Sequence, residues 1–249
     1  MRSIVRLELD AGVLKYLERR ATEIAAGADI ERTWKYACRT KTMGRARSLL
    51  RRMAGGCERC MYCEDSRGTE IDHYRSKKRF KEFAFIWENM LYLCGGCNRQ
   101  KGENFPLDEN GDPLLIDPTV DEPWTMLYFD PVTGNITPRW IATADMPHPR
   151  GVATTDPAIL PLNVEAVTEG RRRTWRRLSR SVQAFLRTAG DAAQYQTVEA
   201  ELLEAIADNP DYGIAEWIFR YDGADIEPFA ALHIGYPVLW DKIQALVAE

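Results

Sequence analysis

No apolar run in these 249 residues approaches the ~20 needed to cross a bilayer, and the opening has no positively charged and apolar signal region. Both absences predict a cytoplasmic protein with no membrane contact. Internal repeats and low-complexity segments are missing as well, which excludes solenoids and biased tails. Strong charge of one sign is also absent: the net charge is −4 and the pI about 5.6, so the molecule as a whole does not advertise a polyanion partner. Histidine is scarce, at three residues: His73, His148 and His233. A hydrophobic content of 45% is enough for one large or two small cores, so the chain is globular.

Six cysteines are present, four of them as the pairs Cys60/Cys63 and Cys94/Cys97. In a reducing compartment such pairs are metal ligands rather than disulfides. Two residues between thiolates let both sulfurs reach one tetrahedral ion, and two such knuckles make a closed structural Zn2+ site with no open position for chemistry. Cys57, three residues before Cys60, competes as the first half of a knuckle, and Cys38 reads as a buried apolar residue. A metal that staples the ends of the enclosed stretch brings His73, Asn89 and Asn98 near one another.

Apolar positions Leu14, Leu17, Ala21 and Ile24 predict a helix from an Asp10 cap to a stop at Gly27, and residues 29–53 read as one or two more, ending at Gly55-Gly56. Thr69–Tyr74 and Met90–Cys94 predict strands, followed by a helix opening near Cys97. Residues 105–150 are rich in Pro, Gly and Asp. Leu114–Ile116, Met126–Phe129 and Asn135–Thr137 are strand candidates there, the last two joined by an Asp130–Gly134 turn. Asn163 predicts the cap of a long helix with Val164, Val167, Trp175, Leu178, Val182 and Phe185 on its stripe. Asp191 with Gln194 marks the start of the next helix, and Pro237 breaks the last helical stretch in two.

The order Cys-x-x-Cys, Asp72-His73, Asn89, then Cys-x-x-Cys-Asn98 with Lys101 three residues on resembles the HNH endonucleases, over about residues 57–104. The third position is Asn where the family name implies His. The resemblance implies a zinc-stapled ββα-metal core and favours Cys60 over Cys57 as the start of the first knuckle. Tyr62-Cys63-Glu64, Ile71–Arg75, Cys97-Asn98-Arg99, Phe105-Pro106-Leu107 and Leu114–Pro118 are similar to the HNH subunit of Septu-type anti-phage systems and to some retron-associated nucleases. That subgroup more often has Glu-His and Arg-Pro-Lys where this chain has Asp72-His73 and Arg75-Ser76-Lys77. The implied partners are DNA and an ATPase of the ABC or SMC-like type.

The whole then reads as α+β: a helical arm (1–56), a zinc-bound ββα-metal HNH core (57–120), a β-hairpin insertion (121–154) and a C-terminal helical domain (155–249). His73 suits the base that takes a proton from water at neutral pH. Asp72 and Asn98 suit a hard Mg2+ or Mn2+ ion, and Asn89 suits support of the His73 loop. Arg75, Lys77, Lys78 and Lys101 suit flanking phosphates. Homo-oligomerisation is compatible with a core that cuts one strand at a time. The rival reading keeps the zinc and loses the chemistry: an inactive nucleic-acid-binding or scaffold subunit, since two CxxC pairs alone more often make a zinc ribbon.

Other residues read more blandly. Phe80, Phe83, Phe85 and Trp87 are core, Glu64 is a surface or capping residue, His148 is an exposed loop residue, and His233 is a partly buried structural one. Arg45, Arg47, Arg51 and Arg52 form one basic run, and Arg171, Arg172, Arg173, Arg176, Arg177 and Arg180 load a later helix. Solvated helix faces account for at least one of these two groups.

Overall fold

Asp10 opens the first helix, α1 (Ala11–Ala25), by accepting from the Gly12 and Val13 N–H groups, which have no partner within the helix. The inward stripe keeps Leu17 and Ile24 as expected, but Val13 takes the place of Leu14, which points to solvent at 45% exposure. Residues 29–53 make two helices, α2 (Ile30–Ala37) capped by Asp29 and α3 (Lys41–Met53) capped by Thr40. The computed structural model describes residues 1–207 and 213–247.

β1 (Glu70–His73) and β2 (Met90–Leu93) pair antiparallel, with His73 opposite Met90 and Glu70 opposite Leu93. The helix α4 (Gly95–Lys101) follows directly, completing the ββα unit. It opens two residues before Cys97 because the Cys94 sulfur accepts from the Cys97 N–H and so acts as the cap.

Leu114–Ile116 is not a strand. Leu115 and Ile116 are buried, but side chains satisfy their backbone: Thr154 Oγ1 accepts from Ile116 N–H, and the Leu115 carbonyl accepts from Tyr74 Oη and Arg150 Nη2. The predicted hairpin is present as β3 (Leu127–Phe129) and β4 (Ile136–Pro138), closed by Asp130–Gly134. Gly134 has φ of 77°, and a Cβ there would lie 2.2 Å from the Thr168 carbonyl oxygen, so no larger residue fits. A two-residue ladder of β5 (Trp140–Ile141) and β6 (Met146–Pro147) follows, too short to leave a periodic signal.

His148 is half-buried and caps α5 (Pro149–Thr155) through Nδ1, with proline at the first helical position; the exposed-loop reading was wrong because Pro149 starts a helix. Asn163 does not cap α6 (Glu165–Thr188). Val164 holds the cap position without a side-chain bond, while Asn163 is drawn off to clamp both backbone groups of Ile136, accepting at 2.9 Å and donating at 2.8 Å. Helices α7 (Tyr195–Ala207), α8 (Ile214–Arg220), α9 (Phe229–Gly235) and α10 (Pro237–Val247) complete the chain, the last two divided at Pro237. His233 is exposed, stacked on Trp240 at 4.4 Å, and so is not the partly buried residue expected.

The fold is α+β, with short sheets among helices. Its buried side chains form one continuous cluster, reaching from Ile4 through the cysteine knuckles to Trp124, Trp217, Trp240 and Ile243. The opening segment ties distant parts together: Ile4 N–H donates to the Pro118 carbonyl, Ser3 N–H to Glu216, and Arg6 to the Trp87 and Met90 carbonyls. The ββα unit is therefore held from outside its own sequence.

Candidate functional site

Cys60, Cys63, Cys94 and Cys97 are all buried, and their sulfur atoms lie within 4.8 Å of one another, Cys63 and Cys94 at 3.9 Å. Four sulfurs about 2.3 Å from a tetrahedral zinc stand about 3.8 Å apart, so the cluster matches the spacing Zn2+ demands. Hydrogen bonds from the Cys60, Cys63 and Cys97 thiols hold the Cys94 thiol far below its ordinary value, while burial pushes Cys60 up. A cation that accepts all four thiolates removes that conflict. Cys57 is exposed and outside the cluster, which resolves the competition for the first knuckle. Cys38 is only half-buried. Glu64, just after Cys63, is buried beside Arg2 Nε at 3.5 Å rather than on the surface, and its backbone has a φ of 55°.

His73 ends β1 and is 4% exposed. Its Nε2 lies 2.9 Å from the Ala84 carbonyl oxygen, which can only accept, so Nε2 carries the hydrogen and Nδ1 is the acceptor of the neutral ring. The Trp34 ring of α2 meets the imidazole edge-on at 4.2 Å. Burial pushes the imidazole down to about 3, with the charges of Lys77 and Lys101 adding to the effect, and the ring is neutral at physiological pH.

Asn89 reaches this site through backbone. Its Oδ1 accepts from Arg75 N–H at 2.7 Å, and its Nδ2 donates to the Arg75 and Phe83 carbonyls at 3.0 Å each. One side chain thus fixes the turn after His73 and the residue next to Ala84, whose carbonyl orients the ring.

Asp72 is buried, and its Oδ2 pairs with Lys101 Nζ at 2.9 Å. Burial raises the carboxyl's proton affinity and the Lys101 charge opposes that rise. Lys101 is 0% exposed and also donates to the His73 carbonyl at 2.6 Å. Its expected place against a phosphate is corrected on this point: the ammonium is engaged inside the protein, joining α4 to β1. Asn98, half-buried on α4, donates from Nδ2 to Glu70 Oε2, which leaves its carbonyl oxygen to serve as a metal ligand or hydrogen-bond acceptor.

Asp72, His73 and Asn98 line one cavity of about 270 Å³, together with Ser76, Lys77, Lys78, Gly102 and Glu103. The Asp72 carboxylate and the Asn98 amide oxygen, on a cavity with room for water, are a donor set that fits a hard divalent cation such as Mg2+. At the rim, Lys78 pairs with Glu103 at 2.6 Å and Lys77 with Glu31 at 3.2 Å. Arg75 lies over the rings of Phe83 and Phe105, at 4.9 and 5.4 Å from their centres. Phe85 and Trp87 are core, while Phe80 and Phe83 are half-buried.

Sequence reasoning missed Trp34, Glu70, Ser76 and the Ala84 carbonyl. Glu70 was within reach, since it shares a face of β1 with Asp72 at strand spacing. No local signal marks Trp34 or a backbone carbonyl.

Residues 57–104 match the family model for HNH endonuclease. The chain is also similar to the Septu protein PtuB of Bacillus thuringiensis, at 34% identity over 70 residues. The match covers 26% of this chain and 26% of that relative, so the chain spans about a quarter of the length of the curated relative it matches. Over residues 57–104 the chain is thus similar to HNH endonucleases, and over 70 residues to a Septu protein, with four cysteines clustered in the first of these stretches.

Proposed function

We propose that the protein is a metal-dependent endonuclease that hydrolyses DNA phosphodiester bonds, acting as the effector of an anti-phage system with an ABC or SMC-like ATPase partner. The observation that carries the chemistry is the fixed tautomer of His73 in a cavity that also holds Asp72 and Asn98. With Nε2–H held by the Ala84 carbonyl, Nδ1 is aimed to take the proton of an attacking water. The carbonyl then stabilises the imidazolium that forms, and negative charge growing on the phosphate raises the ring's low basicity as the proton arrives. Asp72 and Asn98 would hold a Mg2+ or Mn2+ ion, which when bound would supply Lewis-acid stabilisation of the leaving oxygen. Asn89 and Lys101 position these groups without touching substrate. Lys77 and Lys78 stand at the rim, where flanking phosphates bind once Glu31 and Glu103 exchange partners, while Arg75 lies outside this cavity and meets the strand further along. The four-cysteine zinc is structural.

A lone core with one histidine nicks one strand, and a double-strand break takes two protomers or two events. The resemblance to a Septu protein supports the defence role, and the ATPase is the partner that the Septu-like motifs of the sequence imply. The rival, an inactive zinc-dependent binding or scaffold subunit, draws on one observation: Lys101 already neutralises the carboxylate that would hold the catalytic ion.

Nicking of supercoiled plasmid by zinc-loaded protein, with Mg2+ or Mn2+ against chelator, separates the two. Cleavage that depends on the ion and falls by at least about 10²-fold in His73→Ala, at equal zinc content, supports the nuclease. Wild-type protein that binds plasmid but leaves it intact, alone and with the ATPase, favours the scaffold.

A further inference from the structure

Helix α6 holds seven arginines against two glutamates in a chain of net charge −4. They are not equivalent. Arg171 is 0% exposed and points inward, donating to the Gly134 carbonyl and Asn163 Oδ1 at 3.3 Å each. Arg177 reaches across to α7 and donates to the Ala205 carbonyl at 2.7 Å. Arg173, Arg176 and Arg180 are exposed at spacings of three and four, so they share one face. With Arg177, Glu169 and Ser181 they line a surface concavity of about 460 Å³.

Glu169 organises this face more than it neutralises it. Its carboxylate takes Arg172 at 2.6 Å, Arg173 at 2.9 Å and Arg176 at 3.1 Å, which fixes three guanidinium forks and still leaves a surplus of positive charge. The opposite side of α6 is anchored by buried Val167, Leu178, Val182 and Phe185, so the arginines stand on a rigid rod. From Arg173 to Arg180 the helix rises ~10 Å. That is about three phosphate steps along one strand of a duplex, at 3.4 Å each. Arginine's planar fork is suited to phosphate oxygens. The concavity contains no aliphatic or aromatic side chain. A protein partner normally needs such an anchor at the centre of its interface.

We propose that this face of α6 is a track for the phosphate backbone of DNA, so that substrate is gripped at a second place apart from the cavity around His73. The choice of DNA as the polyanion rests on the nuclease reading; the track itself does not.

The test is fluorescence anisotropy of a labelled 30-base-pair duplex with full-length, zinc-loaded protein and no added Mg2+, across a salt series. The neutral triple variant Arg173→Gln/Arg176→Gln/Arg180→Gln is compared with wild type at matched thermal stability and zinc content. If the three arginines contact three phosphates, the slope of log affinity against log salt is shallower by about 2.7 in the variant, with at least tenfold weaker binding near 100 mM salt. Equal slopes and affinities overturn the track. So does a wild type without duplex affinity, or a variant that keeps duplex binding but loses binding to polyglutamate, which would assign the face to an acidic protein. If plasmid nicking fails while the triple variant still loses duplex binding, the nuclease reading falls and the track stands.

Discussion

Replacing Lys101 by methionine tests how the candidate site is held together. The side chain is 0% exposed and gives its charge to Asp72 Oδ2 at 2.9 Å and a hydrogen bond to the His73 carbonyl at 2.6 Å. Methionine fills nearly the same volume, so packing changes little. What remains is a buried carboxylate without a counter-charge and a buried carbonyl without a donor. Removing one partner of a buried pair costs about 3–5 kcal/mol. Urea unfolding of zinc-loaded Lys101→Met should show a loss of that size, and adding Asp72→Asn in the same chain should recover more than half of it, because the orphaned charge is gone. If Asp72 is also a ligand for the catalytic ion, millimolar Mg2+ should stabilise Lys101→Met more than wild type, with the ion replacing the ammonium as counter-charge. A cost below about 1 kcal/mol for the single variant would refute the reasoning, since it would mean that water or a shifted backbone solvates Asp72.

Removing the metal from the four-cysteine cluster with a strong zinc chelator should unfold the ββα unit, because structural zinc binding contributes on the order of 10 kcal/mol in small domains. Cys94→Ser should reproduce the effect, and Cys57→Ser should leave zinc content at one per chain by metal analysis; loss of zinc in Cys57→Ser would reinstate the rejected knuckle. Acid should act through His73, whose folded value of about 3 lies below the ~6.5 of the unfolded chain. Stability from this group is complete above ~6.5 and falls as pH drops toward about 3, by roughly 2 kcal/mol at pH 5. His73→Asn should lose that much less than wild type between pH 7 and pH 5, and parallel curves would show that the ring is hydrated.

Much of the ββα unit and of the β3–β4 hairpin was legible because their constraints are local: thiolate spacing in the first and turn chemistry at Asp130–Gly134 in the second act within a few residues. Errors came where a residue served a distant partner. Asn163 has the composition of a helix cap, yet it completes the edge of β4 by bonding both backbone groups of Ile136, 27 residues away. Leu114–Ile116 has the composition of a strand, yet Thr154, Tyr74 and Arg150 take its backbone bonds. Lys101 has the composition of a phosphate contact, yet Asp72 and the His73 carbonyl claim it.

The same distinction explains the candidate site. The residues proposed to carry its chemistry lie within 57–104, but Trp34 from α2 packs on the imidazole, and Glu31 pairs with Lys77, whose charge acts on that ring. Trp34 closes one side of the imidazole and so contributes to the burial that, with the charges of Lys77 and Lys101, keeps His73 neutral and its proton affinity low. A fragment cut to the residues that match the family model would keep both zinc knuckles and lose this wall. Its histidine would be wetter, more basic and freer to rotate, so that tuning His73 is a task of the flanking helices as much as of the motif.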